Sequence, residues 1–321
     1  MPALAHLLKP NSRLNRAWLL RGPPWSKSRP RPERVASCCA SYLARSSMRL
    51  YSETYGAPVV GGVSNPAEPL TPTLVFLHGL LGSGRDWLQI VTQLSGRYPC
   101  LTVDLPGHGH SRSIPAAEFD QRGFELTSQW LTQTLEARGV SRYILVGYSL
   151  GARVAMYHAC HRNADSKPQL AGLVLEGGHF GLPQSDRPAR LDNDRRWAQR
   201  FASQPIADVL ADWYQQPVFS SLNHDQRQGL IAKRSDNLGS AVAHMLLATS
   251  LAKQPLLQSQ LNRLAIPVHY LCGEKDEKFT LLAAGSDLSY QVIEEAGHNV
   301  HVEQPYSFAR AVDDFILRTI F

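Results

Sequence analysis

From Thr73 onward, short apolar runs alternate with amphipathic stretches. Leu74–Leu77, Cys100–Val103, Tyr143–Val146, Leu170–Leu175, Val268–Cys272 and Tyr290–Ile293 are too short for helices, and most are bounded by Gly, Pro or Asp within two residues. Runs of this kind predict strands covered on both faces. A helical period marks Asp86–Leu94, Leu150–His161 and Pro305–Leu317, and Arg49–Tyr55 reads as a first strand. Strand and helix in alternation predict an α/β fold with a mostly parallel, doubly wound sheet. The pattern changes after Leu175. Residues 187–263 read as amphipathic helix without a strand, an excursion expected to form a helical cap over the strand ends. The expected organisation is an extension at 1–47, a first core part at 48–182, a cap at 183–263 and a second core part at 264–321.

The chain of 321 residues is 43% hydrophobic and 19% charged, which suits a full core. Its apolar runs are all far shorter than a membrane span requires. The formal charge of +6 is unevenly placed, because residues 1–47 carry nine Lys or Arg against one acid, Glu33. The remainder is therefore slightly acidic, which argues against a nucleic-acid-binding body, and neither nucleic acid nor membrane is expected as a partner. The basic segment is interrupted by Pro23, Pro24, Pro30 and Pro32. It reads as a targeting presequence or as a stretch preceding a true start at Met48, the second being preferred, and in both readings it lies outside the fold. Cys100, Cys160 and Cys272 are scattered singly, as expected of reduced thiols in a cytoplasmic protein.

Candidate chemistry centres on Gly147-Tyr148-Ser149-Leu150-Gly151, which joins a predicted strand to a predicted helix. This is the G-x-S-x-G pattern, in which a tight, strained turn lifts a serine hydroxyl clear of the sheet. A serine is hardly ionised near neutral pH, so it needs an imidazole, and the imidazole needs a carboxylate to fix its tautomer. Asp276 and His298 each follow a predicted strand and give the chain order Ser, Asp, His of an α/β-hydrolase fold. Asp104 is the alternative acid and His301 the alternative histidine. Backbone N–H groups at Leu80, in the His78-Gly79-Leu80-Leu81-Gly82 turn, and at Leu150 are placed to receive a developing anion. His78 reads as a loop-fixing residue. Asp104, His108 and His110 sit among Pro and Gly in a structural turn, and no metal ligands are expected. Two further functions remain open: a serine hydrolase acting on esters or carbon–carbon bonds through an acyl-enzyme, and a non-catalytic protein whose basic arm binds membrane or nucleic acid.

Several motifs together resemble one family. Phe76-Leu77-His78-Gly79, Asp104-Leu105-Pro106-Gly107-His108-Gly109, Gly147-Tyr148-Ser149-Leu150-Gly151-Ala152-Arg153, Glu176-Gly177-Gly178-His179 and the cap run Ala211–Phe219 are similar to those of the 2-succinyl-6-hydroxy-2,4-cyclohexadiene-1-carboxylate synthases of menaquinone biosynthesis. The resemblance implies an α/β-hydrolase fold carrying a lyase that eliminates pyruvate from an enolpyruvyl cyclohexene tricarboxylate without a cofactor. It also implies that Ser149, Asp276 and His298 act together as a base. By the same resemblance, Tyr148, Arg153, Arg190 and Arg234 contact substrate, and Trp213 forms an aromatic wall. Ala152 stands where the family pattern has glycine. The cap around Pro183–Pro188 aligns with a one-residue gap, which makes Arg187 the alternative to Arg190.

Overall fold

The computed structural model describes residues 48–56, 71–113 and 116–320; the basic segment 1–47 lies outside them. Seven strands form one sheet in the order β1-β3-β2-β4-β5-β6-β7. They are β1 Ser52–Tyr55, β2 Thr73–Leu77, β3 Cys100–Val103, β4 Arg142–Tyr148, β5 Gln169–Glu176, β6 Val268–Gly273 and β7 Ser289–Ile293. All neighbours are parallel except β1, which runs antiparallel to β3.

Residues in a strand alternate between faces, and both faces of this sheet are apolar. Val75, Leu77, Tyr143 and Leu145 enter one core with α2 Ala116–Ala137 and α3 Leu150–His161, while Leu74, Phe76, Ile144, Val146 and Tyr148 enter a second with α1 Leu88–Leu94 and α11 Pro305–Thr319. The register carries the ends of the central strands to one level. Leu77 pairs with Gly147, Gly147 with Leu175, and Glu176 with Leu271.

Between β5 and β6 the chain forms α4 Arg187–Ser203, α5 Ile206–Trp213, α6 His224–Arg234, α7 Gly239–Ala248 and the single turn α8 Gln258–Leu261. Phe201, Val209, Leu210, Tyr214, Phe219, Leu230, Val242 and Leu246 give this region its own core. Leu81 joins that core from the loop after β2, with φ at 68° and almost no exposure. After β6 come α9 Glu277–Ala284, β7, the short α10 Val300–Glu303 and α11.

Two elements differ from expectation. The sequence pattern marks nothing between Ser111 and Tyr143, where the structure has α2. Its buried face includes Thr127 and Thr134, whose hydroxyls bond within the helix to the carbonyls of Gly123 and Trp130. These polar residues interrupt the apolar period in the sequence but bury without an unmet donor. The first strand is shorter than Arg49–Tyr55, because the amides of Leu50 and Tyr51 go to the side chains of Thr134 and Ser111, not to a neighbouring strand.

The turn between β4 and α3 depends on missing side chains. A Cβ on Gly147 would lie 2.6 Å from the Gly151 carbonyl oxygen, and one on Gly151 would strike the Leu77 carbonyl. Gly151→Ala is therefore expected to destabilise the fold by about 1–3 kcal/mol, since the obstacle is backbone that cannot swing aside. Gly96→Ala, with nothing within 4 Å of the new methyl, should be close to neutral. Urea midpoints of the two variants measure the difference, and equal midpoints would contradict this account of the turn.

Candidate active site

Ser149 occupies the corner between β4 and α3 with φ 49° and ψ −106°. Its N–H donates to the Glu176 carbonyl at 2.8 Å, and its own carbonyl accepts the Arg153 N–H at 3.1 Å. A non-glycine residue at such a φ is strained and persists only where its surroundings fix it. Tyr148 points behind this corner, and its hydroxyl donates to the Asn299 side chain. Burial, reinforced by the Glu176 charge, raises the phenol far above its ordinary range.

His298 and Asp276 come from separate strand ends and meet. The two side chains are almost fully buried, and His298 Nδ1 lies 2.6 Å from Asp276 Oδ2. With Nδ1–H committed to the carboxylate, Nε2 is the nitrogen left to accept a proton. Aromatic rings hold the imidazole in place: Phe279 at 4.8 Å, Tyr148 at 5.3 Å and Phe219 at 6.3 Å between centroids. A Cβ on Gly177, next to the residue that anchors the Ser149 amide, would lie 2.7 Å from the His298 ring. The end of β5 thus borders both the serine turn and the histidine. The Ser149 hydroxyl and His298 Nε2 make no hydrogen bond among the described residues.

The alternative acid and histidine have other partners. Asp104 accepts the amides of Gly84 and His110 and so joins two loops. His301 is paired with Glu176 behind Tyr148, with Nδ1 at 2.9 Å from the carboxylate, and it stacks on Trp87. His78 donates to Gly79 O and accepts the Leu105 amide, while His108 accepts the Leu81 amide and donates to Pro106 O. These two rings fix the loop that carries Leu80. Among the described residues, neither the Leu80 nor the Leu150 amide donates to a protein acceptor, so both remain available to an anion.

The arginines fall into two settings. Arg153, one turn into α3, donates to Thr249 O at 2.8 Å and to Gln254 Oε1 at 3.4 Å and lies over the Phe124 ring. It has no carboxylate partner among the described residues. Burial and then the nearby Arg190 pull its guanidinium down to about 9, so it remains charged at neutral pH. Arg190 is part-exposed on α4 and bonds Asp194 at 2.9 Å, whose other oxygen is held by Ser250. Arg234 is buried against Asp86 at 3.1 Å and donates to Leu80 O at 3.3 Å, while its Nε–H has no partner among the described residues. Burial would raise the Asp86 carboxyl, but Arg234 and Lys233 outweigh that and hold it well below its ordinary value. Arg187 turns to the Leu182 carbonyl. Trp213 packs on Trp197 and Phe201 within the cap.

The structure adds residues to which the chain alone assigns no role. Phe219 and Phe279 touch His298, and Asp86 compensates Arg234. Lys278 and His179 are close enough to Arg190 for its charge to be felt, although burial is the larger cause of the downward shift in each. Lys278 could have been noticed from its place two residues after Asp276. The two phenylalanines carry no local signal that separates them from ordinary core residues.

Comparison with known proteins extends the picture. The alpha/beta hydrolase fold family matches residues 72–305. The chain is 51% identical over 246 residues to the 2-succinyl-6-hydroxy-2,4-cyclohexadiene-1-carboxylate synthase of Yersinia pseudotuberculosis serotype O:3 (strain YPIII), covering 76% of this chain and 87% of that protein. It is 48% identical over 259 residues to the synthase of the same name from Yersinia enterocolitica, covering 80% and 91%. Among solved structures, MenH from S. aureus matches with a TM-score of 0.72 at 25% identity, over 84% of this chain and 98% of that one. A thermophilic esterase from Thermogutta terrifontis shares the fold at a TM-score of 0.64 and 22% identity, over 84% and 93%.

The buried histidines predict a pH dependence of stability. Burial lowers His78, and it brings His108 and His158 to about 3 and His179 to about 4, from an ordinary value of 6.5. The unfolded chain therefore binds more protons below pH 6.5. The stability these rings contribute is complete above that pH and declines as pH falls toward the folded values. For His108 and His158 the decline should reach about 2 kcal/mol each by pH 5, at ~1.4 kcal/mol per unit. Urea unfolding at pH 7.5 and pH 5 measures it, and equal stabilities would show that these rings titrate normally.

Proposed function

The chain belongs to the 2-succinyl-6-hydroxy-2,4-cyclohexadiene-1-carboxylate synthases within the alpha/beta hydrolase fold family, and on that premise we propose that it eliminates pyruvate from 2-succinyl-5-enolpyruvyl-6-hydroxy-3-cyclohexene-1-carboxylate in menaquinone biosynthesis. The observation that carries this reading is Arg153, a buried cation without an acid of its own among the described residues, near Arg190 and one turn beyond Ser149. A site for neutral esters has no use for such a charge, whereas a substrate with three carboxylates does.

The two compounds differ in a way that locates the chemistry. A proton leaves the ring carbon beside the succinyl carbonyl, and its electrons form a new ring double bond. The existing double bond moves along by one position, and the carbon–oxygen bond to the enolpyruvyl group breaks. Enolpyruvate departs, takes a proton and becomes pyruvate. Ser149 is assigned as the group that removes the ring proton, after passing its own to His298 Nε2, with Asp276 supporting the imidazolium through the 2.6 Å contact. The Leu80 and Leu150 amides receive the charge that builds on the succinyl carbonyl oxygen. Arg153, Arg190 and the unmatched Nε–H of Arg234 receive carboxylates. Trp213 is assigned to the cap wall and Tyr148 to support of the serine turn. The reaction as written forms no acyl-enzyme and needs no cofactor. A cytoplasmic setting accords with free thiols at Cys100, Cys160 and Cys272.

Ser149→Ala and His298→Ala should each lower the rate of pyruvate release by several orders of magnitude, and the double variant should be little worse than either single, because the pair acts as a unit. Losses that multiply would mean that the base is wrongly assigned.

Arg153→Ala should lower kcat/KM toward the tricarboxylate by roughly thirty-fold to several-thousand-fold, corresponding to about 2–5 kcal/mol for a substrate charge left unpaired in a partly dry site. Lysine should restore part of this, because it keeps the charge and loses the fork. Cleavage of a small neutral activated ester should barely change. If both substrates lose activity together, Arg153 supports the fold and does not select the substrate. Burst kinetics with the ester and no turnover of the tricarboxylate would favour the hydrolase reading.

A further inference from the structure

Asp276 holds the His298 ring at one nitrogen and three aromatic rings pack around it, and where the imidazole stands depends further on the backbone that carries it. Residues 294–299 lie between β7 and α10. The Ala296 carbonyl accepts the Lys275 amide and the Asn299 carbonyl accepts the Glu303 amide, each at 2.8 Å, but among the described residues the Gly297 and Asn299 amides have no main-chain acceptor. The Glu303 carboxylate takes both. Its Oε2 accepts the Gly297 amide at 3.0 Å, and its Oε1 accepts the Asn299 amide at 3.2 Å. One planar carboxylate thus takes the amides of the residues on each side of His298. A third contact comes from the cap, where Ser221 Oγ donates to Glu303 Oε1 at 3.4 Å. A Cβ on Gly297 would strike the same hydroxyl, so the cap rests directly on the loop. Two residues earlier, Phe219 meets the His298 ring edge-on.

We propose that Glu303 is the positioning residue for His298, and that Ser221 makes the seating of the cap part of that positioning. The inference rests on His298 accepting the Ser149 proton in the proposed reaction. Its physical basis is that proton transfer depends steeply on donor–acceptor placement, so a base held loosely loses rate without losing substrate affinity. Asp276 sets the tautomer, and Glu303 sets where the imidazole stands. Because the Ser221 contact forms only with the cap in place, His298 is fully aligned only when the cap is seated on the loop.

The test uses the full chain and the enolpyruvyl cyclohexene tricarboxylate, with pyruvate release as the readout. Glu303→Gln is nearly the same size but has one acceptor oxygen in place of two, so it must release one of the flanking amides. It should lower kcat about ten-fold or more while KM stays within about two-fold. Ser221→Ala, which leaves the loop clamp itself intact, should lower kcat a few-fold with KM unchanged. In a His298→Ala background, followed by single turnovers at high enzyme concentration, neither change should reduce the residual rate further, because there is no imidazole left to position. A purely structural role gives a different pattern, in which urea midpoints fall while turnover per folded molecule holds, or the residual rate falls equally with and without His298. Either result overturns the proposal, and an unchanged Ser221→Ala overturns the part assigned to the cap. If His298→Ala alone turns over like the unmodified chain, the assignment of the base fails first and this inference with it.

Discussion

The site depends on one residue held in a conformation it would not choose. Ser149 sits at φ 49° and ψ −106°, a strain of about 1–3 kcal/mol. That strain is sustained because the Glu176 carbonyl takes the Ser149 amide and the glycines at 147 and 151 let the strand, the helix and the Leu77 carbonyl close around it. Glu176 does this with its main chain only. Its carboxylate accepts both the His301 amide and the His301 ring, three residues past His298. The serine turn and the histidine loop therefore share an anchor at the end of β5, and displacing that strand end would move both.

Charge is distributed with the same economy. Asp86–Arg234 is a buried ion pair, and the buried carboxylates of Asp276 and Glu176 are each answered by a histidine ring, His298 and His301. Removing one partner of such a pair leaves a charge stranded in a poor solvent, which is more damaging than never having placed the pair there. Arg153 departs from this rule, its partners among the described residues being a carbonyl, an amide oxygen and a ring face. A cation left that way in the folded enzyme costs stability that a binding anion can return. On the proposed reading the substrate supplies the missing carboxylate.

Much of the architecture could be read from the chain because strand burial and elbow chemistry leave local marks. Leu74–Leu77 and Tyr143–Val146 are apolar on consecutive positions because both faces of β2 and β4 are covered. Gly147 and Gly151 stand where a methyl group would meet backbone. Asp276 and His298 could be picked out by chain order, and the structure brings them together at 2.6 Å. What escaped notice has no local mark. The helix α2 buries Thr127 and Thr134, which look polar until their hydroxyls are seen to bond the preceding turn. Phe219 and Phe279 come from the cap and from α9, and only the folded chain shows that they converge on His298. Asp86 and Glu303 look like ordinary helix-end acids, and their partners are distant in sequence or are backbone amides.

The serine turn, the imidazole and the two free amides suit attack on a carbonyl as well as removal of a proton from carbon. Both reactions place a proton on His298 Nε2 and negative charge near the Leu80 and Leu150 amides. The difference lies in which substrate atom is presented to the Ser149 hydroxyl, and that is decided by groups outside the triad. Arg153 comes from the core and Arg190 from the cap, so a substrate that engages both must bridge the two parts. The same cap reaches the histidine loop through Phe219 and Ser221. A ligand that draws the cap down on its carboxylates therefore also bears on the placement of the base. On the proposed reading, the selection of an anionic substrate and the alignment of the proton acceptor are coupled through the cap.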